Sequence, residues 1–124
     1  MDGRGGNPAD RATPRAVVQM QMLAYRQRTP DAQRFREALP VLGVDGLLAG
    51  NCRTCPARGK VSAKTGAAVG GDSLNDRLAV GDLTVAGYLD EGDGRFDTFS
   101  AGVNGASTPT ADVAGVEVSR TTSP

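Results

Sequence analysis

Between Val17 and Tyr25 apolar side chains recur at three- and four-residue spacing: Val17, Met20 and Ala24, joined by Val18, Met22 and Tyr25. That is the period of an α-helix with a broad apolar face. Thr13-Pro14 supplies its start. A threonine hydroxyl at the N-cap accepts a free backbone N–H, and proline at the first helical position gives up no needed donor. The pattern predicts a helix to about Gln27, stopped by Thr29-Pro30. Asp31 is placed to cap a second, shorter helix that carries Ala32, Phe35, Ala38 and Leu39 and closes at Pro40. Val41 to Gly50, with glycine at 43, 46 and 50, reads as an irregular turn, and residues 50–59 as a polar loop.

The period then falls to two. Lys60-Val61-Ser62-Ala63-Lys64-Thr65 alternates and predicts a short strand. Ala67 to Asp82 is broken by Gly and Asp and reads as a loop. Leu83 to Leu89 alternates again, with Leu83, Val85 and Leu89 on one side. Glu91-Gly92-Asp93-Gly94 has turn composition, and Phe96 to Val103 returns with Phe99, Ala101 and Val103 on one face. Leu83–Val103 is thus a predicted hairpin. The expected architecture is α/β of the α+β kind: two N-terminal helices, then an antiparallel sheet of about three strands. Residues 1–106 are expected to be part of one domain and 107–124 a disordered tail, rich in Gly, Ser, Thr and Pro.

Composition narrows the chemistry. The 124 residues hold 14 Lys+Arg against 14 Asp+Glu. A balanced charge argues against nucleic acid as the partner, since phosphate binding needs a basic surplus. Histidine is absent, which excludes a Ser-His-Asp triad and a His-ligated metal. Met1 is not followed by the apolar run of a signal peptide, and no window approaches the ~20 apolar residues of a membrane span. Cys52-Arg53-Thr54-Cys55 lacks the further ligands of a zinc site and the strand and helix of a redox motif, leaving a small loop disulfide or two idle thiols. No cofactor and no metal is expected.

Phosphate-binding and calcium-binding patterns fail. Gly59-Lys60 is followed by Val61 and preceded at the required spacing by Thr54, and Asp90-Glu91-Gly92-Asp93-Gly94 breaks the Ca²⁺-loop spacing. Lys64-Thr65-Gly66 survives. A lysine ammonium at the rim of a site attracts a carboxylate, and the threonine hydroxyl hydrogen-bonds it. Glycine removes the side chain where a substrate backbone lies along a strand edge.

The surroundings of this tripeptide resemble the serine-type D-alanyl-D-alanine carboxypeptidases of the low-molecular-mass penicillin-binding class. Asp2-Gly3-Arg4-Gly5-Gly6 and Arg11-Ala12-Thr13-Pro14 are similar to their D-G-S-G … T-P helix start. Phe35-Arg36-Glu37-Ala38-Leu39-Pro40-Val41-Leu42-Gly43-Val44-Asp45-Gly46 resembles F-x-x-A-L-P-V-x-G-x-D-G, Ala63-Lys64-Thr65-Gly66 their A-K-T-G, and Ala86-Gly87-Tyr88 their S-G-Y strand. The likeness covers about residues 2–106 in the right order.

The resemblance implies a partial penicillin-binding-protein/β-lactamase-like fold outside the cytoplasm. It implies as ligands a peptidoglycan stem peptide ending in D-Ala-D-Ala, and β-lactams. Lys64 is then the catalytic lysine of the motif, and Lys64, Thr65, Gly66 and Ala67 the substrate-binding strand. Ala67 replaces the usual Thr or Ser, and Leu47 the usual Thr. The family's nucleophile lies in S-x-x-K. Three residues after Ser62, Ser73, Ser100, Ser107 and Ser119 come Thr65, Asp76, Val103, Thr110 and Thr122, and none is Lys. Without that serine no acyl-enzyme forms. The chain is expected to be the C-terminal third of such an enzyme, inactive alone. The alternative is a non-catalytic remnant, or an interaction fragment completing a split domain.

Overall fold

The structure, a computed structural model, describes residues 10–109. Helix α1 spans Pro14–Arg26 and α2 Pro30–Glu37, followed by a 3₁₀ turn at Gly46–Leu48. Strands β1 (Val61–Asp72), β2 (Arg77–Asp90) and β3 (Phe96–Pro109) form one antiparallel sheet in the order β1-β2-β3. Two helices and then three strands is the architecture that the change of period predicts. No described helix is long and apolar enough to cross a membrane.

Both helices start alike. Thr13 Oγ1 accepts from the Ala16 N–H at 3.1 Å and Thr29 Oγ1 from the Ala32 N–H at 3.2 Å, each with proline next in the chain. Thr29-Pro30 therefore ends one helix and begins the other. Asp31, expected as the cap, lies inside the first turn, where a carboxylate suits the positive end of the helix dipole.

The inward stripe of α1 keeps the expected period but shifts in phase. Gln21 is buried and Val17, Val18, Ala24 and Tyr25 half-buried, while Met20 is 72% and Leu23 59% exposed. A glutamine holds the central position because the sheet offers it backbone partners. Its side-chain amide, turned to satisfy both ends, donates to Phe99 O at 3.2 Å and accepts from the Gly87 N–H at 2.8 Å. Those bonds offset the cost of burying an amide. The Tyr88 hydroxyl donates to Gln21 O at 2.8 Å, and the Tyr25 hydroxyl to Gly94 O at 3.2 Å in the β2–β3 turn. The Tyr25 ring lies 5.4 Å from Phe96 and 6.2 Å from Tyr88. Helix α1 thus packs on β3 and β2.

Burial raises the Tyr88 phenol above its ordinary value of 10.0, against a smaller opposing pull from the Arg36 charge. A folded-state pKa above the unfolded one gives stability that is complete below about pH 10 and lost as pH climbs through the folded value. Tyr88→Phe is expected to cost about 1 kcal/mol at neutral pH, the net worth of one buried hydrogen bond. It should also flatten the alkaline fall of the urea midpoint, which titration of both proteins from about pH 8 to 11 checks.

The segment read as a loop at 67–82 is a second hairpin. β1 runs to Asp72 and β2 begins at Arg77, with the turn at residues 73–76, where Asp76 takes φ +49°. The glycines that interrupt the alternation sit within the ladder. Ala68 pairs with Asp82 and Val69 with Val80, leaving Gly81 as the extra residue of a bulge. The Leu83–Val103 hairpin stands as expected, with Leu83 opposite Val103 and Val85 opposite Ala101. β3 continues to Pro109, three residues into the stretch expected as tail. Residues 110–124, and the Asp2–Gly6 run at the other end, lie outside the described residues.

Between α2 and β1 the chain doubles back along β1. The Leu42 N–H donates to Val61 O at 2.8 Å and the Ala63 N–H to Pro40 O at 2.9 Å, with Val41 bridged to Ser62. The Asp45 carboxylate takes the Val41 N–H at 2.6 Å and holds the turn. Cys52 and Cys55 are joined in a disulfide, their Cα atoms 5.2 Å apart.

Candidate functional site

Lys64-Thr65-Gly66-Ala67 lies on β1 at the edge of the sheet. Across the ladder Lys64 opposes Ala86, Thr65 opposes Val85, Gly66 opposes Thr84 and Ala67 opposes Leu83. Backbone groups along a strand point alternately to its two sides. Val61 O and the Ala63 N–H point outward, toward Leu42 and Pro40. The peptide groups of Thr65 and Ala67 therefore face outward too, and those of Lys64 and Gly66 face β2. The cover from Pro40–Leu42 ends at Ala63. Among the described residues, no strand pairs with the outer edge from Lys64 onward.

Side chains alternate between the two faces of the sheet. Lys64 and Gly66 project to the face that carries Tyr88, and Thr65 and Ala67 to the other. Lys64 is exposed, and its Nζ donates to the outward carbonyl of Thr65, which draws the ammonium over the open edge. Thr65 is half-buried and Gly66 and Ala67 exposed. A ligand lying along the edge would meet an ammonium from one face, a hydroxyl from the other, and two outward amides between. The four residues form an open strand edge rather than an enclosed pocket. Ser62, two residues earlier on the Lys64 face, lines a cavity beneath the helices.

Two neighbours explain why this strand carries glycine opposite threonine. A Cβ on Gly66 would stand 2.6 Å from Thr84 Oγ1, and one on Gly102 3.3 Å from Thr84 Cγ2. Thr84 thus fills a slot between glycines on either side, and Gly66 has a steric reason to be glycine besides access for a ligand. The only sequence signal for Thr84 is its place as the polar member of Leu83-Thr84-Val85. Gly66→Ala is expected to destabilise by about 1–3 kcal/mol, as overpacking does. In a Thr84→Ala background the new methyl keeps only the 4.0 Å contact with the residue-84 Cβ. Most of the penalty should then vanish, and a double-mutant cycle by urea denaturation measures the coupling.

Gly87 and Tyr88 serve the same strand from beneath. A Cβ on Gly87 would overlap Ser62 O and lie 2.6 Å from Ala63 Cα. The close approach of β2 to the start of β1 requires glycine there, while Tyr88 fastens α1. The Gly-Tyr pair noted in the sequence therefore has a packing role directly behind the motif.

No curated protein and no solved structure matches the chain. The family model of the D-Ala-D-Ala carboxypeptidase 3 (S13) family matches residues 1–121. The match takes in both capped helices, the turn before β1 and all three strands, with the lysine-threonine-glycine motif on the open edge. On that evidence of nearly full-length correspondence, the chain belongs to the D-Ala-D-Ala carboxypeptidase 3 (S13) family.

Proposed function

We propose that this chain provides the substrate-binding strand of a serine-type D-Ala-D-Ala carboxypeptidase, acting on the stem peptides of the cell wall. The observation that carries the reading is the outer edge of β1 from Lys64 to Ala67, which no strand among the described residues pairs. A peptide ending in D-Ala-D-Ala adds to that edge as a further antiparallel strand, bonded to the outward peptide groups of Thr65 and Ala67. The Lys64 ammonium and Thr65 hydroxyl hold its terminal carboxylate, and Gly66 leaves room for its backbone. β-Lactams, whose carboxylate and amide mimic that terminus, occupy the same edge.

Lys64 also biases proton transfers at the reacting centre, but the acyl step needs a serine with its lysine three residues on. None of the serines in this sequence has one. Hydrolysis therefore requires polypeptide carrying S-x-x-K, and this chain alone forms no acyl-enzyme. The Cys52–Cys55 disulfide supports work outside the cytoplasm, where such bonds persist. A second reading is a non-catalytic fragment that completes a split penicillin-binding domain, favoured by β3, whose outer edge also has no strand beside it among the described residues.

Labelling with a fluorescent penicillin tests both readings. The chain alone is expected to stay unlabelled, and adding a segment that carries S-x-x-K and S-x-N should produce a labelled serine on that segment. Covalent label on the bare chain would overturn the assignment. Binding of the added segment without any label would favour the non-catalytic reading.

A further inference from the structure

A cavity of about 670 Å³ lies where the ends of α1 and α2 meet the start of β1, on the Tyr88 face of the sheet. It is a recess open to solvent on one side rather than an enclosed cavity. Three arginines line it, Arg26, Arg28 and Arg36, together with the rings of Tyr25, Tyr88 and Phe96. Glu37 is the one carboxylate in the lining, and it accepts from Gln33 Nε2 at 2.7 Å.

The donors and walls are divided in an informative way. Both tyrosine hydroxyl protons are committed, Tyr25 to Gly94 O and Tyr88 to Gln21 O. Tyr25 and Phe96 thus offer ring surface rather than donors, while Tyr88 is buried. Arg36 is fixed, with Nη1 donating to Ala24 O at 3.1 Å and its guanidinium 5.4 Å from the centre of the Tyr25 ring. That leaves the other guanidinium N–H groups of Arg36 available. The side chains of Arg26 and Arg28 make no hydrogen bond or ion pair among the described residues. One fixed and two unpaired cationic side chains beside aromatic walls select a ligand with a planar anion on a flat apolar body. A guanidinium fork matches a carboxylate in two parallel bonds, and the rings take the body.

We propose that this cavity is a binding site for a small carboxylic acid with an aromatic body, separate from the β1 edge and independent of the function assigned to it. Bare phosphate has the charge but nothing to lay against Tyr25 and Phe96. A neutral aromatic has the body but leaves the arginines unpaired.

The test uses the full chain and 2-naphthoate, followed by NMR titration and calorimetry. Naphthoate should bind one to one and shift the ring signals of Tyr25 and Phe96. The neutral 2-naphthalenemethanol should bind at least about tenfold more weakly, since charge-assisted bonds are lost, and inorganic phosphate should not compete at equal concentration. Arg26→Gln/Arg28→Gln should weaken naphthoate about tenfold with an unchanged circular dichroism spectrum. These residues are exposed, so folding is not at issue. Equal affinity for acid and alcohol, displacement by equimolar phosphate, or shifts confined to residues outside the cavity would each overturn the proposal.

Discussion

Gly87→Ala is expected to lower the stability of the chain by at least about 3 kcal/mol, at the upper end of what overpacking costs. The added methyl would overlap Ser62 O and sit 2.6 Å from both Ala63 Cα and Ala63 Cβ. Those are backbone and first side-chain atoms of a paired strand, so no rotamer change relieves the clash. β1 must move away from β2, and Ala63, fully buried in the native chain, loses its packing. The core has little to spare. Its buried apolar residues among those described are Ala32, Leu48, Ala63, Val80 and Tyr88. For a domain of this size ~3 kcal/mol corresponds to a fall of roughly 12–24 °C in Tm. Thermal melts by circular dichroism check it. Gly70→Ala is the control: its Cβ would meet nothing within 4 Å and its φ is not positive. That substitution should change stability by no more than about 0.5 kcal/mol.

The second large effect concerns Lys64. Replacing it by alanine should weaken binding of a D-Ala-D-Ala-terminated peptide about 30-fold, because a charge-assisted hydrogen bond to a carboxylate is worth ~2 kcal/mol. Amidating the peptide's C-terminus removes the same interaction from the other side. The two changes should therefore be non-additive: amidation should cost Lys64→Ala much less than it costs the parent chain, the remainder being the share of the Thr65 hydroxyl. Independent losses that add would mean that Lys64 does not contact the carboxylate. Folding is not at risk, since the side chain is exposed and bonds only to the carbonyl of its neighbour Thr65.

Local chemistry made much of the fold legible. Thr13-Pro14 marks a helix start because cap and proline act within one turn, and the same chemistry at Thr29-Pro30 shows in the sequence pattern only as a stop. The Leu83–Val103 hairpin is legible because its alternation and its Gly/Asp turn are both local. The stretch from Ala67 to Asp82 is not. Gly70, Gly71 and Gly81 read as loop residues, and only the register of β1 against β2 shows that Gly81 belongs to a bulge. Gln21 defeats a hydrophobicity pattern for a related reason: its partners, Phe99 O and the Gly87 N–H, are supplied by strands far along the chain. At the site, Lys64, Thr65 and Gly66 are visible as a motif. Thr84, which occupies the space beside Gly66, emerges only from strand pairing.

Amide hydrogen exchange on β1 reads the proposed binding edge residue by residue. In the free chain the Thr65 and Ala67 N–H groups, which face outward, should exchange faster than those of Lys64 and Gly66, which face β2. A saturating D-Ala-D-Ala-terminated peptide should slow exchange at Thr65 and Ala67 and leave Lys64 and Gly66 unchanged. Protection that stays the same at Thr65 and Ala67, or that rises along β3 instead, would contradict the account.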